Sequence, residues 1–127
     1  MHRRPEPAVQ NLIELKQRTK AFGVATVKFV RSLPCDPITS HFALQLAKSA
    51  TSVGANYRSS CRAKSSADFI SKMTTVEEEC DEALYWLEVL VETGTVAKPP
   101  VATLMDEADQ LVRIVVASIN TARGGSR

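Results

Sequence analysis

The sequence predicts an all-α protein, an antiparallel up-and-down four-helix bundle, and three observations predict it. Apolar residues recur at steps of three and four along four long stretches, proline, glycine and serine interrupt the chain between them, and no strand-type alternation occurs. With 127 residues the chain suits one domain built around one sizeable core.

Residues 1–7, with Arg3, Arg4 and two prolines, read as a short basic arm, residues 8–123 as the bundle, and residues 124–127 as a frayed tail after Gly124-Gly125. The first helix is expected from Ala8 or Val9 to about Ser32, with Leu12, Leu15, Thr19, Phe22, Thr26, Phe29 and Leu33 on its seam. Its outer positions are basic: Lys16, Arg18, Lys20, Lys28 and Arg31. Pro34 and Pro37 end it, because proline removes a donor and clashes inside a helix. Asp36-Pro37 can then cap and open the second helix, and Thr39 or Ser40 would cap it equally well.

The second helix carries Leu46, Ala50, Val53 and Tyr57 on one face. A second line beside that seam, Gln45, Ser49, Ser52 and Asn56, is polar and uncharged, so another helix can approach it closely and its polar atoms need partners once buried. Lys48, Arg58 and Arg62 lie on the other flank. The chain turns near Lys64–Ser66, where Ser65 and Ser66 offer N-caps. Phe69, Met73, Val76, Cys80, Ala83, Leu87 and Leu90 then keep the seven-residue rhythm of bundle packing. Tyr85, Trp86 and Val89 project away from that seam, which suggests a further contact surface. Thr93-Gly94 stops the third helix, and a fourth is expected over about Val101 to Ala122, with Leu104, Ala108, Leu111, Val115 and Ser118 on one line and Met105, Val112 and Ile119 beside it.

These residues carry a resemblance to a known family. Gln45-Leu46, Lys48-Ser49-Ala50, the run from Ser52 to Arg58, Ala67-Asp68-Phe69-Ile70 and the acidic run Glu77–Glu82 resemble the bacterial four-helix-bundle proteins related to the 23S rRNA intervening-sequence protein, also labelled S23 ribosomal proteins. The resemblance spans about Leu12 to Leu111 and includes Leu33-Pro34. The commoner family pattern places Ile-Ala-Glu-Gly after the Asn. This chain has Tyr57-Arg58-Ser59-Ser60 there, so no role of that Glu carries over. The resemblance implies a bundle assembled into a ring-like homo-oligomer, commonly a pentamer, with no enzymatic activity. A more distant relative is the basic, nucleic-acid-binding accessory protein of diversity-generating retroelements.

Composition excludes several function classes. Three scattered cysteines form no disulfide framework and no metal pair, and a reducing cytoplasm is the expected compartment. Cys61 and Cys80 fall on helix seams as small hydrophobes. No apolar run reaches the roughly 20 residues of a membrane span, and the N-terminus lacks the apolar core of a signal peptide. Carboxylate-rich Glu77–Glu82 invites a di-metal reading, but that chemistry wants Glu-x-x-His pairs, and His2 and His41 do not supply them. No histidine stands in helical register with a cysteine and no phosphate-binding glycine loop occurs, so neither a catalytic residue nor a cofactor is expected.

Charge is unevenly spread. Residues 1–65 hold eleven Lys and Arg against three acids, whereas residues 66–98 hold two against eight. Lys16, Lys20, Lys28, Arg31, Lys48, Arg58, Arg62 and Lys64 are therefore the candidate nucleic-acid contacts, weighed against a solvated basic face and, for Lys48, a pair with Asp81. A net charge of +2 is small for one chain binding a polyanion, and repetition around a ring would concentrate it. Gln45, Ser52, Asn56 and Glu82 are the candidate polar network that fixes helix register. Tyr85, Trp86 and Val89 are the candidate subunit interface. The leading expectation is a non-enzymatic oligomer that binds RNA or DNA, and the alternative is a protein-interaction scaffold that uses Trp86 or the acidic third helix and binds no nucleic acid.

Overall fold

A computed structural model describes residues 7–124, with side chains from Glu14 onward. Four helices follow one another as α1 (Pro7–Val30), α2 (Pro37–Ser60), α3 (Ser66–Glu92) and α4 (Lys98–Ala122). The helices are joined by short connections, and each packs broadly on its neighbours in sequence. Only a thin seam between α1 and α4 closes the circle. The result is an all-α four-helix bundle.

The ends of the helices follow local chemistry. In α1 the last turn tightens, with Ser32 N–H donating to Phe29 O and Leu33 N–H to Val30 O, and Leu33 tucks into the core before Pro34. Asp36 caps α2 by accepting a hydrogen bond from Thr39 N at 3.0 Å, with Pro37 at the first position. Ser65 caps α3 in the same way, through Asp68 N at 3.1 Å, and Asp68 in turn accepts from Lys64 N and Lys72 Nζ. These contacts, that with Lys72 foremost, hold the Asp68 carboxyl below its usual range. Past Thr93, Gly94 takes a φ of 74°, the left-handed geometry glycine adopts without strain.

Helix α4 starts at Lys98, earlier than the expected Val101. Its two prolines occupy the first turn, where a missing N–H costs no helical bond. The arm expected over residues 1–7 lies outside the described residues except for Pro7, which opens α1, and of the expected tail only Gly124 is described.

The core follows the expected seams closely. Phe22, Leu33, Leu46, Ala50, Val53, Tyr57, Met73, Val76, Cys80, Ala83, Leu87, Leu90, Ala108, Leu111 and Val115 are buried, with Thr19 and Thr26 buried beside them. Both threonines return their hydroxyls to their own helix, to Leu15 O and Phe22 O, which satisfies them without a partner from another helix. Leu15, Phe29, Phe69 and Leu104, expected on the seams, are half-buried against the core, and two further details differ from expectation. Cys61 is only half-buried, and the α4 seam ends on buried Ile119, with Ser118 half-buried and bonded to Ile114 O. No helix among the described residues is long and apolar enough to cross a membrane.

Candidate functional site

Helices α1 and α2 approach so closely at Gly23 and Gly54 that a Cβ there would press on the facing backbone. A Cβ on Gly23 would stand 3.2 Å from Ala50 O, and one on Gly54 would stand 3.3 Å from Thr19 O and Lys20 N. This contact forms the floor of an open groove of about 460 Å³. Val24, Val27, Thr51 and Ala55 make its walls, and Val24 is left 47% exposed.

Five cations rim the groove: Lys16, Lys20, Lys28 and Arg31 from α1, and Arg58 from α2. All five are exposed, and among the described residues no acidic one lines the groove. Among the described residues no ion pair neutralises any of the five. Because α2 runs antiparallel to α1, with Gly54 beside Lys20, Arg58 falls at the Lys16 end. The cations thus form two groups, Lys16, Lys20 and Arg58 at one end and Lys28 and Arg31 at the other, with an apolar waist between them. Such a strip attracts a bound anion from two sides.

Three of the expected cations stand elsewhere. Arg62 and Lys64 lie at the turn between α2 and α3, outside the groove. Lys48 also lies outside the groove; its charge is felt at Glu79, and among the described residues it forms no ion pair with Asp81. Glu79 is nevertheless pushed up, by burial first and by Glu82 second, against the opposing pull of Lys48.

Arg18, one of the outer basic positions of the first helix, is committed to structure. Its guanidinium donates to both Glu107 carboxylate oxygens and to Gln110 Oε1, each at 2.7 Å, and this fork fastens α1 to α4.

The expected polar network is not joined within one chain. Gln45, Ser52 and Asn56 are half-buried, and among the described residues no hydrogen bond links them to one another or to Glu82. Ser49 turns back onto Gln45 O and Leu46 O, and Glu82 accepts from Trp86 Nε1 at 3.3 Å on its own helix.

Trp86 packs within the protomer. Phe42 stacks on it at 5.8 Å and His41 meets it edge-on at 6.2 Å. Tyr85 leans on the same ring at 5.0 Å and remains 54% exposed, while Val89 is half-buried. The sequence signal for the Phe42 contact was its place one turn from Leu46, beside the seam. Gly23 and Gly54 carry no side chain, and the groove they create was not anticipated.

Among the described residues no cluster of His, Cys, Asp or Glu is placed to hold a metal ion. Cys80 is fully buried, and burial, with Glu107 and neighbouring acids behind it, pushes its thiol up to about 12.

Comparison with known proteins identifies the family. No curated protein matches the sequence. The crystal structure of a protein of unknown function from the S23 ribosomal protein family of Bacteroides thetaiotaomicron is similar, with a TM-score of 0.77, 28% identity, 83% of this chain covered and 97% of that one. The model of the 23S rRNA-intervening sequence protein family matches residues 12–117. With most of its length matched and its bundle shared with a solved member, the chain belongs to the 23S rRNA-intervening sequence protein family.

Proposed function

We propose that the protein is a non-enzymatic binding module that engages the phosphate backbone of RNA or DNA through the α1/α2 groove. The observation that carries the reading is the set of five exposed cations around a groove that no acid lines among the described residues. Electropositive strips of this kind supply the sequence-independent part of nucleic-acid affinity. The family's description, which ties it to sequences that interrupt 23S rRNA, supports the same choice of partner. Lys48, Arg62 and Lys64 extend the basic surface of α2 beyond the groove and add to long-range attraction.

In this reading the protein acts in the cytoplasm as a homo-oligomer, a pentamer by family resemblance, so that several grooves present their cations together. The exposed ring of Tyr85, with Val89 and the outer edge of Trp86, supports a subunit contact on the α3 side, away from the groove. Gln45, Ser52 and Asn56, half-buried and with no side-chain hydrogen bond among the described residues, would find partners at such a contact.

Binding of labelled structured RNA and duplex DNA across a salt series, with native mass recorded on the same sample, tests this function. Affinity that falls steeply with salt in an intact oligomer is expected. An intact oligomer that binds neither polymer at low salt would reject the reading and favour a protein partner at Tyr85 and Trp86.

A further inference from the structure

Taking the groove reading as its basis, we infer that the groove selects duplex nucleic acid over single strands and grips it without reading its sequence. Proteins that hold single strands combine a cationic track with aromatic rings on which bases stack. Among the described residues this groove has the track and no ring. Its walls are Val24, Val27, Thr51 and Ala55; Tyr57, beside Arg58 in sequence, is buried in the core, and His41, Phe42, Tyr85 and Trp86 contact one another on the α3 side.

Base readout is also poorly served. Among the described residues no Asn, Gln, Asp or Glu lines the groove, so the side chains that pair with adenine or accept from cytosine are missing from that lining. The remaining polar groups are lysines, arginines and threonines, which suit phosphate oxygens; the base that the lysines and arginines can also pair with is guanine, a contact that permuted duplexes test.

Spacing favours a stiff ligand. Lys20 and Lys28 are eight residues apart on one helix, which places the two cation groups about 12 Å apart along its axis. The whole strip from Lys16 to Arg31 spans about 22 Å. A duplex carries one charge per ~1.7 Å of axis, so roughly a dozen phosphates lie along that length, already fixed in position. A single strand offers fewer charges over the same length and must be ordered to meet both groups. It would recover none of that cost by stacking.

The test uses the full-length protein in its native assembly, with labelled RNA and DNA duplexes of mixed sequence, base-permuted duplexes, and an unstructured single strand of equal length. The expected result is that permuted duplexes bind alike and at least about ten-fold tighter than the single strand. The slope of log affinity against log salt should reach no more than about −4.5 per engaged groove, the limit for five phosphates. A single strand that binds as well as duplex, or a large effect of permutation, would overturn duplex selection while leaving the groove reading intact. The Lys20→Glu/Lys28→Glu variant, checked for fold by circular dichroism, separates the two. Loss of duplex binding in a folded variant is the expected result. Duplex binding by the variant equal to that of the unaltered protein, or no binding of any probe by the unaltered protein at low salt, would overturn the groove itself.

Discussion

Gly54 of α2 lies against the backbone of Thr19 in α1, with a hypothetical Cβ only 3.3 Å from the Thr19 carbonyl. The atoms it faces belong to a helix backbone and cannot rotate aside. Alanine at this position gains about 1 kcal/mol of helix propensity over glycine, and the close contact opposes that gain. Gly54→Ala is therefore expected to leave the melting temperature unchanged or lower. Gly54→Val, which needs still more room, should destabilise by about 1–3 kcal/mol in urea titration. A Gly54→Ala protein more stable by the full propensity gain would show that α1 and α2 are not in close contact there.

Arg18 and Glu107 join the first and last helices with a bidentate pair that is partly shielded from water. Removing either partner should cost about 1 kcal/mol, since the pair is half-exposed and its geometry is favourable. Because Arg18 lies outside the groove, Arg18→Ala should not change duplex affinity. Equal losses of stability and of binding would contradict the division between structural and ligand-facing cations on α1.

For the proposed oligomer contact, Tyr85 is a cleaner probe than Trp86. Trp86 is stacked on Phe42 and bonded to Glu82, so its replacement damages the protomer as well as any interface. Tyr85→Glu places a charge on the exposed ring position and leaves that stack in place. Native mass should fall to that of the monomer while helical circular dichroism is retained, and an unchanged mass would remove Tyr85 from the interface.

Alkaline pH should weaken the fold. The Cys80 thiol is raised to about 12 by burial, and burial together with the Cys61 thiol also raises the Tyr57 phenol. Both groups stay neutral in the native protein after the unfolded chain has begun to lose its protons, so stability is complete below the unfolded values and falls as pH rises. For Cys80 the window runs from about 8.5 to 12. Urea midpoints should decline through this range, and less steeply in Cys80→Ala. In native protein a thiol reagent should modify exposed Cys35 far faster than Cys80. An identical decline in Cys80→Ala would contradict the role of the buried thiol.

The seams were legible because burial of apolar side chains imposes its period on the sequence. Leu46 to Tyr57 and Met73 to Leu90 occupy the core positions that their spacing requires. Caps at Asp36 and Ser65 were legible for an equally local reason. The groove was not, because it depends on where two helices lack atoms, and Gly23 and Gly54 within a helical pattern read as a cost in propensity. Arg18 looked like its basic neighbours because its acceptor, Glu107, lies 89 residues away. The charge of Lys48 is felt at Glu79 and Trp86 stacks on Phe42, contacts between α2 and α3 that the projection of a single helix does not contain.

Lysine footprinting tests the central claim most directly. Native protein is acetylated sparingly with and without saturating duplex, and modification at each lysine is read by mass spectrometry. The account predicts protection of Lys16, Lys20 and Lys28 in the groove, with Lys64 and Lys98 as reactive as in the free protein. Uniform protection, or protection confined to Lys64 and Lys98, would contradict the assignment of the ligand to the groove between α1 and α2.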